Sequence, residues 1–157
     1  MIGCLGAVLA LYFSLIHQRG QISAIRYVSG LPPGSNVHFL TPCHSSPLRS
    51  YAHDAATSIL MLECPPYKHG VPPEEYIPED VRFFSDPVTF LRKRYSTYEW
   101  PSHFILYEDP LAAKIQGFLL DACYVEDARL FNTIASSDDR IRGDVLVFKH
   151  DVACKGR

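Results

Sequence analysis

The densest group of chemically capable side chains lies in TPCHSSPLRSYAHD (41–54), with Cys64 a short distance downstream. Cys and His are good zinc ligands, so Cys43, His44, His53 and Cys64 form one candidate set. Adjacent residues 43 and 44 rarely reach a single ion, however, and none of the familiar ligand spacings is present. Cys43 could instead serve as a nucleophile, with His53 as its base and Asp54 orienting the imidazole. Nothing local builds an oxyanion hole, and neighbouring His53 and Asp54 side chains normally point apart. A third option is a disulfide between Cys43 and Cys64. Both end expected strands, and neighbouring strand ends can meet the roughly 5.5 Å Cα separation such a bond needs. The plainest reading is a tight loop in which His44 and the serines satisfy backbone groups. All four readings stay open on the residues alone.

The elements around this loop follow from hydropathy and punctuation. NVHFLTP (36–42) and SILMLECPP (58–66) read as strands, the second stopped by Pro65 and Pro66. HFILYE (103–108), EDARLFN (126–132) and GDVLVFKH (143–150) read as three more, with ASSDDRIRG as the loop between the last two. Ile22, Ile25 and Val28 recur every third residue, as in a short helix ending near Gly30, before the break at Pro32-Pro33-Gly34. Asp86 followed by Pro87 predicts a capped helix through TFLRKRY, with Phe90 and Leu91 inward and Arg92, Lys93 and Arg94 largely in water. Residues 109–121 carry helical spacing through Leu111, Ile115, Phe118 and Leu119. Residues 67–80, rich in proline and acid, read as surface loop, with Glu74, Glu75, Glu79 and Asp80 solvated. Strands alternating with helices predict an α/β fold with a mixed or partly parallel sheet. His103 reads as a core or edge histidine. Trp100-Pro101 reads either as a membrane-interface anchor or as a loop packed on the core.

Every charged residue lies at or beyond Arg19, and Met1 to Ile16 form an apolar run. Three readings compete for that run. They are a signal peptide, a buried helix, and the end of a transmembrane helix, which we favour although it is short of the about 20 residues a span needs. The expected division is residues 1–18 as the end of a last transmembrane helix and 19–157 as one α/β domain. The net charge of −2 gives no reason to expect nucleic acid. No Asn-x-Ser/Thr acceptor, CxxC pair, phosphate-binding glycine loop or dinucleotide fingerprint occurs. Cys4 falls in the apolar run, where it is expected only to pack.

Seven stretches together resemble the C-terminal end of a known family. They are HQRG (17–20), FLTPCHSSP (39–47), LECPP (62–66), SDPVTFLRKRY (85–95), WPSHFILYE (100–108), RLFNT (129–133) and GDVLVFKH (143–150). The family is that of the dolichyl-phosphate-mannose-dependent mannosyltransferases, glycosyltransferase family 22. The PCHSSP and ECPP pair points within it to the member that adds the third mannose of the glycosylphosphatidylinositol (GPI) anchor. An N-glycan α-mannosyltransferase is the nearest alternative.

The resemblance implies a polytopic membrane enzyme of the endoplasmic reticulum with this domain facing the lumen. Its partners would be dolichyl-phosphate mannose and a lipid-linked glycan acceptor, and it would use no metal or other cofactor. The acidic catalytic base of such enzymes lies upstream of Met1, so no residue of this chain inherits a catalytic role. The isolated chain is therefore expected to be inactive, the tail of a larger enzyme. His44, Ser45 and Arg49 are the expected glycan contacts, because their polar loop sits at a strand end. Arg19 and Arg26, judged by the positive-inside rule alone, would put the domain in the cytoplasm. The rival classes are a stand-alone, membrane-anchored lumenal binding domain and a soluble hydrolase built on Cys43 and His53.

Overall fold

A computed structural model of the chain describes residues 2–48, 57–64, 72, 76–108 and 110–154. It opens with helix α1 (Ile2–Leu15), then α2 (Gly20–Ser29), β1 (Asn36–Phe39) and β2 (Ser58–Met61). There follow α3 (Glu79–Ser85), α4 (Pro87–Arg94), β3 (His103–Tyr107), α5 (Pro110–Asp121) and β4 (Tyr124–Leu130). A 3-10 turn (Asp139–Ile141) precedes β5 (Val145–His150).

The five strands make one mixed sheet in the order β2-β1-β3-β5-β4. β1 runs parallel to both β2 and β3, and β5 runs antiparallel to β3 and β4. This is the α/β architecture with a partly parallel sheet that the alternation of apolar segments predicts. The centre of the sheet is β3, all five of whose residues are buried. Its side chains alternate between faces. Phe104 and Leu106 pack with Phe83, Leu91, Ile115 and Leu119 under α3, α4 and α5. Ile105 and Tyr107 pack with Ala24, Ile25 and Val28 of α2 on the other face. A strand buried on both faces reads as a near-continuous apolar run, which is why Phe104 to Tyr107 show no polar alternation.

Two expectations change. Residues 79 and 80 are not solvated loop but the first turn of α3, and Asp80 is buried. Acids in a first turn face the positive end of the helix dipole, which the proline-rich stretch before them concealed. Arg94 is not free in water either, because it is ion-paired with Glu79 across α3 and α4. The Asp86 cap forms as the sequence implies, its side chain accepting from Thr89 N–H with Pro87 in the first turn. Leu91 is wholly buried and Phe90 partly so, while Arg92 and Lys93 face solvent. Trp100 packs on the core, stacked on Tyr95 with centroids 4.7 Å apart. Buried His103 is held by Ser102 Oγ at 2.9 Å from its Nδ1.

The apolar residues of α1 are largely exposed, among them Leu5, Val8 and Phe13. Among the described residues, no helix is long and apolar enough to cross a membrane. The helix is tied to the domain at its exit. Thr133 Oγ1 donates to Ala135 O, so it accepts the Nδ1–H of His17, at 2.9 Å. Just beyond, Gly20 lies so close to the β4–β5 connection that a Cβ there would sit 2.6 Å from Asn132 Cβ and 2.8 Å from Val145 Cγ2. Both neighbours are buried and cannot give way. Gly20→Ala is expected to cost about 1–3 kcal/mol of stability through overpacking. Urea denaturation followed through the single tryptophan, Trp100, measures it. An unchanged midpoint would mean that this contact is slack.

Candidate functional site

The loop that leaves β1 is shaped by a turn. Ser45 N–H donates to Pro42 O at 3.1 Å, and His44 adopts a φ of +60°. A positive φ at the third turn position is rare for a residue with a Cβ, though histidine tolerates it better than most. It turns an exposed His44 onto the rim of a cavity of about 290 Å³, walled by Cys43, Pro47, Leu48, Met61, Leu62 and Cys64.

Cys43 and Cys64 are disulfide-bonded, with Cα atoms 6.1 Å apart. The bond joins the loop after β1 to the end of β2, two strands paired in parallel register. The opposite end of the loop-to-helix path is closed by hydrogen bonds. Glu63 N–H donates to Glu79 Oε2 at 2.7 Å, and Glu79 N–H donates back to Glu63 O at 3.1 Å. This reciprocal pair seats the first turn of α3 beside the disulfide. It also brings the Asp80 carboxylate within 4.8 Å of both sulfurs. The candidate zinc set thus resolves differently. The structure brings Asp80, rather than His44, to the two cysteines, and sulfurs joined to each other offer no thiolate to an ion. The same bond denies Cys43 the thiolate a nucleophile needs.

The expected glycan contacts divide. His44 is exposed at the cavity rim. Ser45 turns its hydroxyl inward, out of solvent, beside the phenol of Tyr107. Arg49 lies outside the described residues, as do His53 and Asp54. Burial raises the Tyr107 pKa, and Gln21 and Ser45 beside it oppose that shift.

Behind the cavity, His38 of β1 is buried between Tyr95 and Phe104. Its Nδ1 shares a short hydrogen bond with the Tyr95 hydroxyl, and its Nε2 has no partner among the described residues. Burial, helped by the nearby Arg94 charge, pushes its pKa down to about 4. No sequence signal marks this residue, since a single histidine in an apolar strand looks the same whether buried or lining a site.

A second disulfide, between Cys123 and Cys154 with Cα atoms 5.6 Å apart, ties the end of α5 to the segment after β5. Cys154 lies past the last expected strand, so the sequence alone does not pair it. Cys4 is the one free cysteine among those described.

No family model matches the chain, and no solved structure matches it. Curated proteins do. GPI mannosyltransferase 3 of Debaryomyces hansenii is 30% identical over 160 residues, covering 92% of this chain and 29% of that protein. GPI mannosyltransferase 3 of Saccharomyces cerevisiae is 28% identical over 162 residues, covering 89% and 26%. GPI alpha-1,2-mannosyltransferase 3 of Danio rerio is 33% identical over 146 residues, covering 88% and 26%. The chain spans less than a third of the length of these relatives.

Two measurements follow from this geometry. Maleimide labelling of the unreduced, unfolded protein should modify Cys4 alone. Removing the Cys43–Cys64 bridge by double substitution to serine should cost roughly 2–4 kcal/mol, because it frees a 21-residue loop in the unfolded chain. Labelling of Cys43 or Cys64 would refute the bridge. His38 gives a pH signature. Below about pH 6.5 the unfolded chain binds a proton at this position that the folded chain refuses until about pH 4. Its contribution is whole above pH 6.5 and drains as pH falls through that window. Between pH 7 and pH 4.5 the protein should lose on the order of 2 kcal/mol more than His38→Gln does. Equal losses in urea melts would mean that His38 titrates normally.

Proposed function

We propose, from the premise that this chain is homologous to the GPI mannosyltransferase 3 proteins over nine-tenths of its length, that it is the C-terminal lumenal part of such an enzyme. The observation that carries the reading is identity of 28–33% over 88–92% of the chain. Within the enzyme the reaction is transfer of mannose from dolichyl-phosphate mannose to the GPI-anchor precursor. The carboxylate that activates the acceptor hydroxyl lies in another part of the enzyme. Such a base has to stand within about 3 Å of the hydroxyl it deprotonates. The domain's own task is to cap the membrane core and help hold the acceptor glycan, with His44 at the rim of its cavity.

Three features support the setting. The apolar side chains of α1 are exposed and uncharged, as a surface meant for lipid would be. Two disulfides suit the endoplasmic reticulum lumen, where such bonds form and persist. The ties at His17 and Gly20 hold the domain directly against the end of α1.

A chimera tests both activity and side. In it, this chain replaces the matched segment of the Saccharomyces cerevisiae relative and carries Pro33→Asn, which creates Asn-Gly-Ser in an exposed turn of a chain otherwise lacking acceptors. The chimera should retain mannosyl transfer in cells depleted of the native enzyme, and it should gain one glycosidase-sensitive N-glycan. Loss of transfer at normal protein level would sink the mannosyltransferase reading. A Pro33→Asn chimera that stays unglycosylated would sink the lumenal one.

A further inference from the structure

Where α3 meets α4, these helices and the turn after α4 enclose a second cleft, with a volume of about 360 Å³. That is within the range of small-ligand sites. Its floor is the ion pair of Glu79 and Arg94, whose side chains are only 18% and 15% exposed. Each partner is already committed. Glu79 also receives Glu63 N–H, and the Arg94 guanidinium lies 5.8 Å from the Phe90 ring centroid and 5.6 Å from that of Tyr98. The floor is thus a fixed, self-neutralised platform under an aromatic shelf.

The walls differ from the floor. Arg82 and Lys93 both line the cleft and face solvent, and neither has an ion pair or side-chain hydrogen bond among the described residues. Among the described lining residues, the only carboxylate left to balance them is that of Glu63. Tyr98 leaves 61% of its surface exposed at the same opening. A flat, exposed aromatic ring beside uncommitted cations and one acceptor has a particular complementarity. The ring takes the apolar face of a pyranose, the carboxylate takes hydroxyl groups, and the cations take an anion.

We propose that this cleft binds a phosphate-bearing glycan, with a hexose stacked on Tyr98 and the phosphate held by Arg82 and Lys93. The phosphate half follows from the excess of cations. The choice of a hexose rests on the mannosyltransferase reading above. The site shares no lining residue with the His44 cavity and needs no residue outside this chain, so binding can be measured without transfer.

The test is titration of the full chain in detergent micelles by amide NMR, using mannose 6-phosphate, mannose and inorganic phosphate as probes. Mannose 6-phosphate is expected to shift amides of residues 79–82 and 93–98 saturably, with a dissociation constant on the order of 1 mM. Inorganic phosphate should bind several-fold more weakly. Tyr98→Ala should erase that difference, and Lys93→Gln should weaken both anions about tenfold. Both side chains are exposed, so both variants should keep the wild-type spectrum elsewhere. Equal binding of mannose 6-phosphate and phosphate would overturn the sugar half. Absence of any saturable shift, or an undiminished one in Lys93→Gln, would overturn the whole. Either failure leaves the chimera's activity untouched, and loss of that activity leaves this binding untouched.

Discussion

Burial of β3 on both faces is the constraint from which the rest of the domain follows. Five consecutive residues without a solvent-facing side chain require cover above and below. Phe104 and Leu106 draw α3, α4 and α5 to one face, and Ile105 and Tyr107 draw α2 to the other. Backbone pairing on both edges completes it, parallel to β1 and antiparallel to β5. A layered sheet with helices on both sides is the economical way to satisfy one such strand. The helices then place everything that faces water. The disulfide loop stands at the end of β1, and the cationic cleft stands where α3 meets α4.

Glu79 connects those two regions. One carboxylate takes the Glu63 amide and the Arg94 guanidinium, so it links the tail of β2 to two helices at once. With its side chain largely out of water, the pair is screened less than a surface ion pair and is held by hydrogen bonds as well. Removing either partner would leave a charge with little water, and removing the Glu79 carboxylate would also free the Glu63 amide. The disulfide at Cys64, one residue after Glu63, fastens the same stretch covalently. This double attachment fixes residues 61–64, the stretch that forms one wall of the cavity.

Much of this was legible in the sequence because it is local. Asp86-Pro87 signals a helix start by backbone chemistry, and the HFILYE run reads as a strand, which the structure covers on both faces. The expected strand ends allowed a Cys43–Cys64 bridge as one of four open readings, and the parallel pairing of β1 and β2 is what brings the two cysteines together. What escaped was non-local. Glu79 and Asp80 looked solvated until Arg94, Arg140 and the Glu63 amide were brought to them from distant parts of the chain. Cys154 lies past the last strand, so no pattern could say that it returns to Cys123. His38, Tyr95 and Trp100 form a stacked series whose members are 57 and 5 positions apart, a spacing no periodicity can reveal. The cationic cleft was hidden for the same reason, since a basic run on a helix reads as a wetted face until a neighbouring helix gives it a wall.

The two borders of the sheet are made differently. β4 carries Glu126, Asp127 and Arg129 in solvent and is interrupted by a bulge between Glu126 and Ala128. Charge and a bulge make a poor template for another strand. β2, at the other border, is only four residues long and leaves Leu60 40% exposed. Placed beside a membrane, as proposed above, such a domain would meet its own kind often. Its resistance to strand-by-strand self-association therefore rests on chemistry at one border and on brevity at the other. The β2 border is the one where a lengthened or more apolar segment would seed aggregation.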